Sequence, residues 1–238
     1  MRTYSNFILD EKGDFVFCYV PKVACTNWKC IFRKSQGYSD WLDTKICHNR
    51  QANGLKFLNP TNQEDLRTIL AVKHRFLMVR NPYSRALSAY LNKIESRLKG
   101  TALKPRTDND HWYSVAKEIS AFEKDWLVSL NQKDRFYVFL RWLSESNDWA
   151  TTDEHWAPQH EIARPDTIPF SDVLKFEDLP KSGQILLGKM GLDFEFPSQE
   201  AVRFPGTSAT DRMDCFYTSE TRELAYDLYS KDFDYFGY

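Results

Sequence analysis

The chain has 238 residues, 42% hydrophobic and 15% aromatic, with 32 basic and 33 acidic side chains and a net charge of −1. That content supports a packed core and excludes intrinsic disorder, and the even charge balance excludes a general nucleic-acid binder. No stretch approaches the roughly 20 apolar residues that a membrane span requires, so no transmembrane segment is expected.

Met1-Arg-Thr-Tyr-Ser-Asn-Phe7 lacks the apolar run of a signal peptide. Five cysteines, at 18, 25, 30, 47 and 215, are an odd number without framework spacing. They read as reduced thiols and set the expectation of a cytoplasmic chain. Length sets the expectation of a single domain over residues 1–238.

Residues 1–14 are polar and are expected to form an edge strand or arm. Phe15-Val-Phe-Cys-Tyr-Val20 is apolar, aromatic and β-branched, the pattern of a short buried strand. Pro21 ends it. Trp28, Ile31 and Phe32 then recur at helical spacing, and Thr26 is positioned to cap that helix. Residues 36–73 show no clear periodicity apart from a short helix around Glu64 to Leu70. Arg75-Phe-Leu-Met-Val79 reads as a second buried strand, and Pro82 opens a helix with a stripe of Leu87, Tyr90, Leu91, Ile94 and Leu98. A polar loop over 99–110 precedes two helices, one with Val115, Ile119, Phe122 and Trp126, the other with Phe136, Phe139, Leu140 and Leu143. Residues 145–170 are irregular. A third strand is expected over Ser171 to Phe176, a helix around Ile185 to Met190 ended by Gly191, and a last helix from about Thr218 to Tyr229. Alternation of strands and helices predicts an α/β fold with a central parallel sheet flanked by helices and a helical middle region.

The informative stretch is Tyr19-Val-Pro-Lys-Val-Ala-Cys-Thr-Asn-Trp-Lys-Cys-Ile-Phe32. A strand, a tight loop and a helix N-terminus aim backbone N–H groups in one direction, backed by the helix dipole. Lys22 adds a cation; Thr26 and Asn27 add side-chain donors. An ordinary strand-to-helix turn with an exposed lysine would share much of this pattern. The loop is not a Walker A sequence, because no glycine lies between Gly13 and Gly37.

Val20-Pro-Lys-Val-Ala-Cys-Thr-Asn27 resembles the 5′-phosphosulfate loop of the Golgi-type carbohydrate sulfotransferases (sulfotransferase family 2), which use 3′-phosphoadenosine 5′-phosphosulfate (PAPS). The second element of that family, an Arg at a strand end followed eight residues later by a Ser on a helix, has its parallel in Arg80 and Ser88. Weaker parallels are Ile46-Cys-His48, His155-Trp-Ala-Pro158, Leu174-Lys-Phe-Glu-Asp-Leu179 and the ending Tyr229 to Tyr238. The resemblance runs from residue 15 to the C-terminus. It implies a P-loop-NTPase-like sulfotransferase fold. The animal members carry a membrane anchor, and the departure from them sets the expectation of a soluble, bacterial relative. It further implies metal-independent, in-line sulfuryl transfer from PAPS to a hydroxyl acceptor, expected to be a carbohydrate, with release of adenosine 3′,5′-bisphosphate. Lys22, Val23, Ala24, Cys25, Thr26 and Asn27 are then expected around the phosphosulfate, with Lys22 at the leaving group, and Arg80 and Ser88 around the 3′-phosphate.

The reaction needs a base for the acceptor hydroxyl, and imidazole suits neutral pH. A His in the loop between the two PAPS motifs fills that role in the family, which points to His48. His155 is the second candidate and could instead bind acceptor or support the core. Glu177 and His74 read as structural, His111 as a helix cap, and Arg85 as a salt-bridge partner. Trp112, Trp142, Trp149 and Trp156 either line a sugar site or fill a helical core. His155-x4-His160 contains Pro158 and does not place both rings on one helical face, so no metal site is expected. Two further classes compete. A nucleotide kinase-like enzyme would need a glycine-rich loop and carboxylates for Mg²⁺, neither of which is evident. A non-catalytic module could keep the fold and bind a nucleotide or glycan.

Overall fold

The computed structural model describes residues 4–128, 130–146, 153–198, 200–202 and 206–238. Trp149 lies outside these. The chain forms two compact units, Met1–Asn81 with Gln159–Gly206, and Pro82–Pro158 with Thr207–Tyr238.

The first unit holds a five-stranded sheet in the order β3-β1-β2-β4-β7. Its strands are β1 (Phe7–Leu9), β2 (Phe15–Cys18), β3 (Lys56–Leu58), β4 (His74–Val79) and β7 (Asp172–Lys175). β2, β4 and β7 are parallel, as expected. β1 is antiparallel to both β2 and β3, so the sheet is mixed. The reason is connection length: a few residues separate β1 from β2, and a parallel pair needs a crossover of a dozen or more. Asp10 closes that turn by accepting the Phe15 N–H at 2.7 Å. β1 is also not an edge. Phe7 and Ile8 are wholly buried between two neighbours, and β3 takes the edge.

α1 (Cys25–Ser35) follows β2. Trp28, Ile31 and Phe32 are fully buried, as their spacing predicts. Trp28 anchors the helix: its ring lies 4.8 Å from Phe17 and 5.3 Å from Phe196, and its indole N–H meets the Met78 sulfur at 3.4 Å. Side chains of this size each contribute about 1.5–3 kcal/mol on burial. The segment 36–73 is more ordered than its pattern suggests. It contains α2 (Thr44–His48), β3 and α3 (Gln63–Ala71). α2 is too short to show a period, and its signal is the cap: Asp43 accepts the N–H groups of Lys45 and Ile46. Asn62 caps α3 the same way. The irregular segment before β7 likewise contains α7 (Gln159–Ala163), and α8 (Lys181–Lys189) follows β7. His74 opens β4 and stacks on Phe15 at 5.0 Å and near Phe76 at 6.3 Å, a packing role as expected.

The second unit is helical. α4 (Pro82–Ala89) continues into a π-helical turn, Tyr90–Ile94, and a 3₁₀ turn, Glu95–Arg97. The expected polar loop carries a small hairpin, β5 (Leu98–Lys99) and β6 (Ala102–Leu103). Among its described residues the unit also contains α5 (His111–Phe122), α6 (Gln132–Glu145), α9 (Met213–Phe216) and α10 (Ser219–Phe236). Tyr90, Phe136, Phe139, Trp156 and Phe216 form its aromatic centre. Trp142 and Trp156 belong to this core, which decides their alternative in favour of packing. α10 runs past its expected end. Tyr229 leaves helical geometry (φ −123°, ψ 19°) while its hydroxyl donates to the Trp156 carbonyl at 2.9 Å, and the helix then resumes.

α8 provides a differential test of packing against propensity. A Cβ on Gly183 would stand 2.4 Å from the Phe196 ring, whereas one on Gly188 would meet nothing within 4 Å. Gly188→Ala is therefore expected to stabilise by about 0.5–1 kcal/mol through helix propensity. Gly183→Ala is expected to destabilise by about 1–3 kcal/mol, because the ring that packs on Trp28 must move. Urea unfolding of the two variants checks the opposite signs.

Candidate active site at the strand-to-helix loop

Between β2 and α1 the chain makes a tight turn. Val23 donates its N–H to the Val20 carbonyl at 3.2 Å, with Pro21 at the first central position and Lys22 at the second. Lys22 has φ 69° and Ala24 φ 50°, so two side-chain-bearing residues occupy left-handed backbone. Ala24, not Thr26, is the helix N-cap, and no side chain caps α1. Its first turn also contains no acidic residue. The helix thus presents its N-terminal N–H groups without a carboxylate to neutralise them. Cys25 is half-buried within that first turn, and Val23 is fully buried beneath it.

Thr26, freed from capping, uses its hydroxyl otherwise. Thr26 Oγ1 lies 2.9 Å from His48 Nε2, although His48 is otherwise exposed at the end of α2. This contact ties α2 to the loop across 22 residues of sequence. Asn27 donates its side-chain N–H to the Pro197 carbonyl at 2.9 Å, so that amide holds the loop helix against the segment after α8.

Arg80 sits at the C-terminal end of β4 and is 6% exposed. Fully buried Gln159 brackets its backbone: the Gln159 Oε1 accepts the Arg80 N–H at 3.0 Å, and its Nε2 donates to the Arg80 carbonyl at 2.8 Å. The Arg80 guanidinium donates to the Lys22 carbonyl at 3.1 Å and lies 4.5 Å over the Phe176 ring. Next in sequence, Asn81 donates its N–H to Glu177 at 2.8 Å, which gives Glu177 the structural contact expected of it. The structure therefore brings Lys22, Thr26, His48 and Arg80 together in one unit. Gln159 was not singled out from the sequence. Its only signal was its place just after the His-Trp-Ala-Pro stretch.

Ser88 and His155 belong to the other unit. Ser88 is 2% exposed on α4, with Oγ 3.0 Å from the Thr207 hydroxyl. Arg85, expected in a salt bridge, donates to the backbone carbonyls of Ala157 and Glu154. His155 packs edge-on against Trp112 at 5.3 Å, and its Nδ1 lies 2.7 Å from Asp153. Asp153 also accepts from the Trp112 indole at 3.3 Å and lies 3.3 Å from His111 Nε2. His111 is the first residue of α5, whose N-cap is Asp110. Lys93 stands 3.6 Å over the Trp112 ring. Burial opposes the Asp153 charge, but the hydrogen bond from His155 and the charges of His155 and His111 hold its carboxyl at about 2. Burial pushes the His155 imidazole below its ordinary value; Lys93 acts in the same direction and Asp153 against it. At neutral pH the carboxylate only accepts, so His155 Nδ1 carries the proton.

Two stability effects follow. Gln159→Leu leaves the Arg80 N–H and carbonyl without their partner and is expected to cost about 2–4 kcal/mol in urea unfolding. His155 has a depressed folded pKa, so its contribution is complete above about 6.5 and declines as pH falls through that value. The Asp153 contribution is present above the ordinary carboxylate range and is lost only as pH falls toward about 2. Between pH 7 and 5 the urea midpoint of the wild type should therefore fall more steeply than that of His155→Gln. Equal slopes would contradict the depressed imidazole.

Carbohydrate sulfotransferase 14 of Danio rerio is 28% identical over 243 residues, covering 98% of this chain and 62% of the relative. Carbohydrate sulfotransferase 11 of the same organism is 28% identical, covering 98% and 67%. Carbohydrate sulfotransferase 14 of Homo sapiens is 27% identical, covering 98% and 60%. The chain thus spans about three fifths to two thirds of the length of these curated relatives. No solved structure gives a significant match. The profile described as the Sulfotransferase family matches residues 5–238, and the chain belongs to that family.

Proposed function

We propose that residues 1–238 act as one sulfotransferase domain that moves a sulfuryl group from PAPS to a carbohydrate hydroxyl, without a metal ion and in the cytoplasm. The observation that carries this reading is the donor set of the first unit. An uncapped, acid-free helix N-terminus, the Lys22 ammonium, the Thr26 hydroxyl and the Arg80 guanidinium converge on one short loop. That set fits a phosphosulfate, which is anionic and accepts hydrogen bonds only. The names of the curated relatives favour a carbohydrate acceptor.

In this reading PAPS, when bound, supplies the sulfuryl group and a leaving phosphate. Lys22 stabilises the charge that develops on the bridging oxygen of that leaving group. The loop from Val23 to Asn27 supplies donors to the phosphosulfate. Arg80 holds the 3′-phosphate, as does Ser88 by the family resemblance. His48 takes the acceptor's proton. The Thr26 hydroxyl, 2.9 Å from Nε2, orients the His48 ring. His155, buried against Asp153 and Trp112, is assigned to acceptor binding.

A labelled-PAPS transfer assay against a panel of glycans and small alcohols tests the proposal, with EDTA present throughout. Transfer to at least one glycan is expected. His48→Asn should lower turnover by about 10²–10⁴ while leaving affinity for adenosine 3′,5′-bisphosphate nearly intact. Loss of transfer in EDTA, or unchanged turnover in His48→Asn, would overturn the corresponding part of the reading.

A further inference from the structure

α1 and α2 meet through two thiols. Cys30 and Cys47 are both fully buried, with their sulfurs 3.1 Å apart and a sequence separation of 17. Val202 and Trp41 pack around the pair. A disulfide needs the sulfurs at about 2.05 Å, roughly 1 Å closer, which side-chain rotation can supply when neither thiol is held elsewhere by a strong bond. The other contact of Cys47 is a weak S–H to the Trp41 carbonyl at 3.3 Å.

We infer that Cys30 and Cys47 are a reversible dithiol–disulfide pair that pins α2, and with it His48, to the helix that follows the loop. Cys47 immediately precedes His48, and Cys30 lies one turn beyond Thr26, the residue that His48 contacts. The pair and the Thr26–His48 contact are therefore two parallel ties between the same two helices. One is a hydrogen bond, and the other is covalent when oxidised.

Either thiol of the pair can donate to the other, and the thiolate so favoured is the attacking one. The oxidant is a small-molecule disulfide, RSSR. That thiolate attacks one of its sulfurs and expels RS⁻, giving a mixed disulfide. The second thiol, deprotonated in turn, then displaces the second RS⁻. Two protein thiols are oxidised, one RSSR is reduced to two RSH, and the two thiol protons end on those products. Because both sulfurs are buried, exchange requires α2 to lift from α1. A five-residue helix is not stable alone and opens locally at low cost. This pairing stands on the thiol geometry and does not depend on the reaction proposed above.

The experiment uses the full chain, equilibrated with glutathione disulfide or with dithiothreitol. Peptide mapping without reduction should find Cys30 linked to Cys47, and the link should disappear on adding dithiothreitol. Hydrogen–deuterium exchange of the amides of residues 44–49 should slow at least tenfold in the oxidised form. The melting temperature should rise by about 6–12 °C, the effect of closing a loop of this length in a chain of this size. Cys30→Ala and Cys47→Ala should each lose all three responses. Glutathione adducts confined to half-buried Cys25 and exposed Cys215, with Cys30 and Cys47 still alkylated after denaturation, would overturn the inference. So would a Cys30–Cys47 link that leaves exchange at 44–49 unchanged.

Discussion

The peptide of Arg80 is the constraint on which the first unit's geometry turns. A parallel strand that ends in the interior leaves an N–H and a carbonyl without a ladder partner, and leaving either unpaired costs about 1–3 kcal/mol. A single buried amide, that of Gln159, satisfies both. With its backbone held on both sides, Arg80 projects a guanidinium whose plane rests on Phe176 and whose Nη1 reaches the Lys22 carbonyl. One residue thereby joins the end of β4, the start of α7, the turn after β7 and the loop after β2. The loop's left-handed conformation is held from outside as well as by its own turn.

The two histidines that drew attention in the sequence occupy opposite environments. His48 is exposed, and its ring is oriented by a neutral hydroxyl. His155 is 18% exposed and faces an ionised carboxylate, with an indole edge-on and a lysine nearby. Its surroundings favour a fixed orientation and a neutral ring.

Much of this was legible in the sequence because the periodic elements are strongly apolar. β2, β4, α1, α4 and α6 follow from runs such as Phe76-Leu-Met-Val79 and from the stripe at Trp28, Ile31 and Phe32. The loop was legible because a lysine, a threonine and an asparagine crowd between a strand and a helix. What failed had a local cause each time. The direction of β1 depends on the brevity of its turn, which polar composition does not convey. α2 and β3 are too short for any period to appear. The cap of α1 was assigned to Thr26 on its hydroxyl, but the helix begins two residues earlier and that hydroxyl is taken by a partner 22 residues away. Gln159 is polar, and its burial comes wholly from the tertiary position of a strand end.

The backbone at Lys22 and Ala24 bears on how such a protein could be altered. Each residue sits where glycine or asparagine would be at ease, at a cost of about 1 kcal/mol or more. Sequence redesign guided by stability alone would choose glycine at both positions and would be rewarded with a higher melting point. It would also erase the one ammonium group in the turn. The loop is thus a place where optimising the fold and keeping the charge pull against each other, and a thermostabilised version should be built around these two positions.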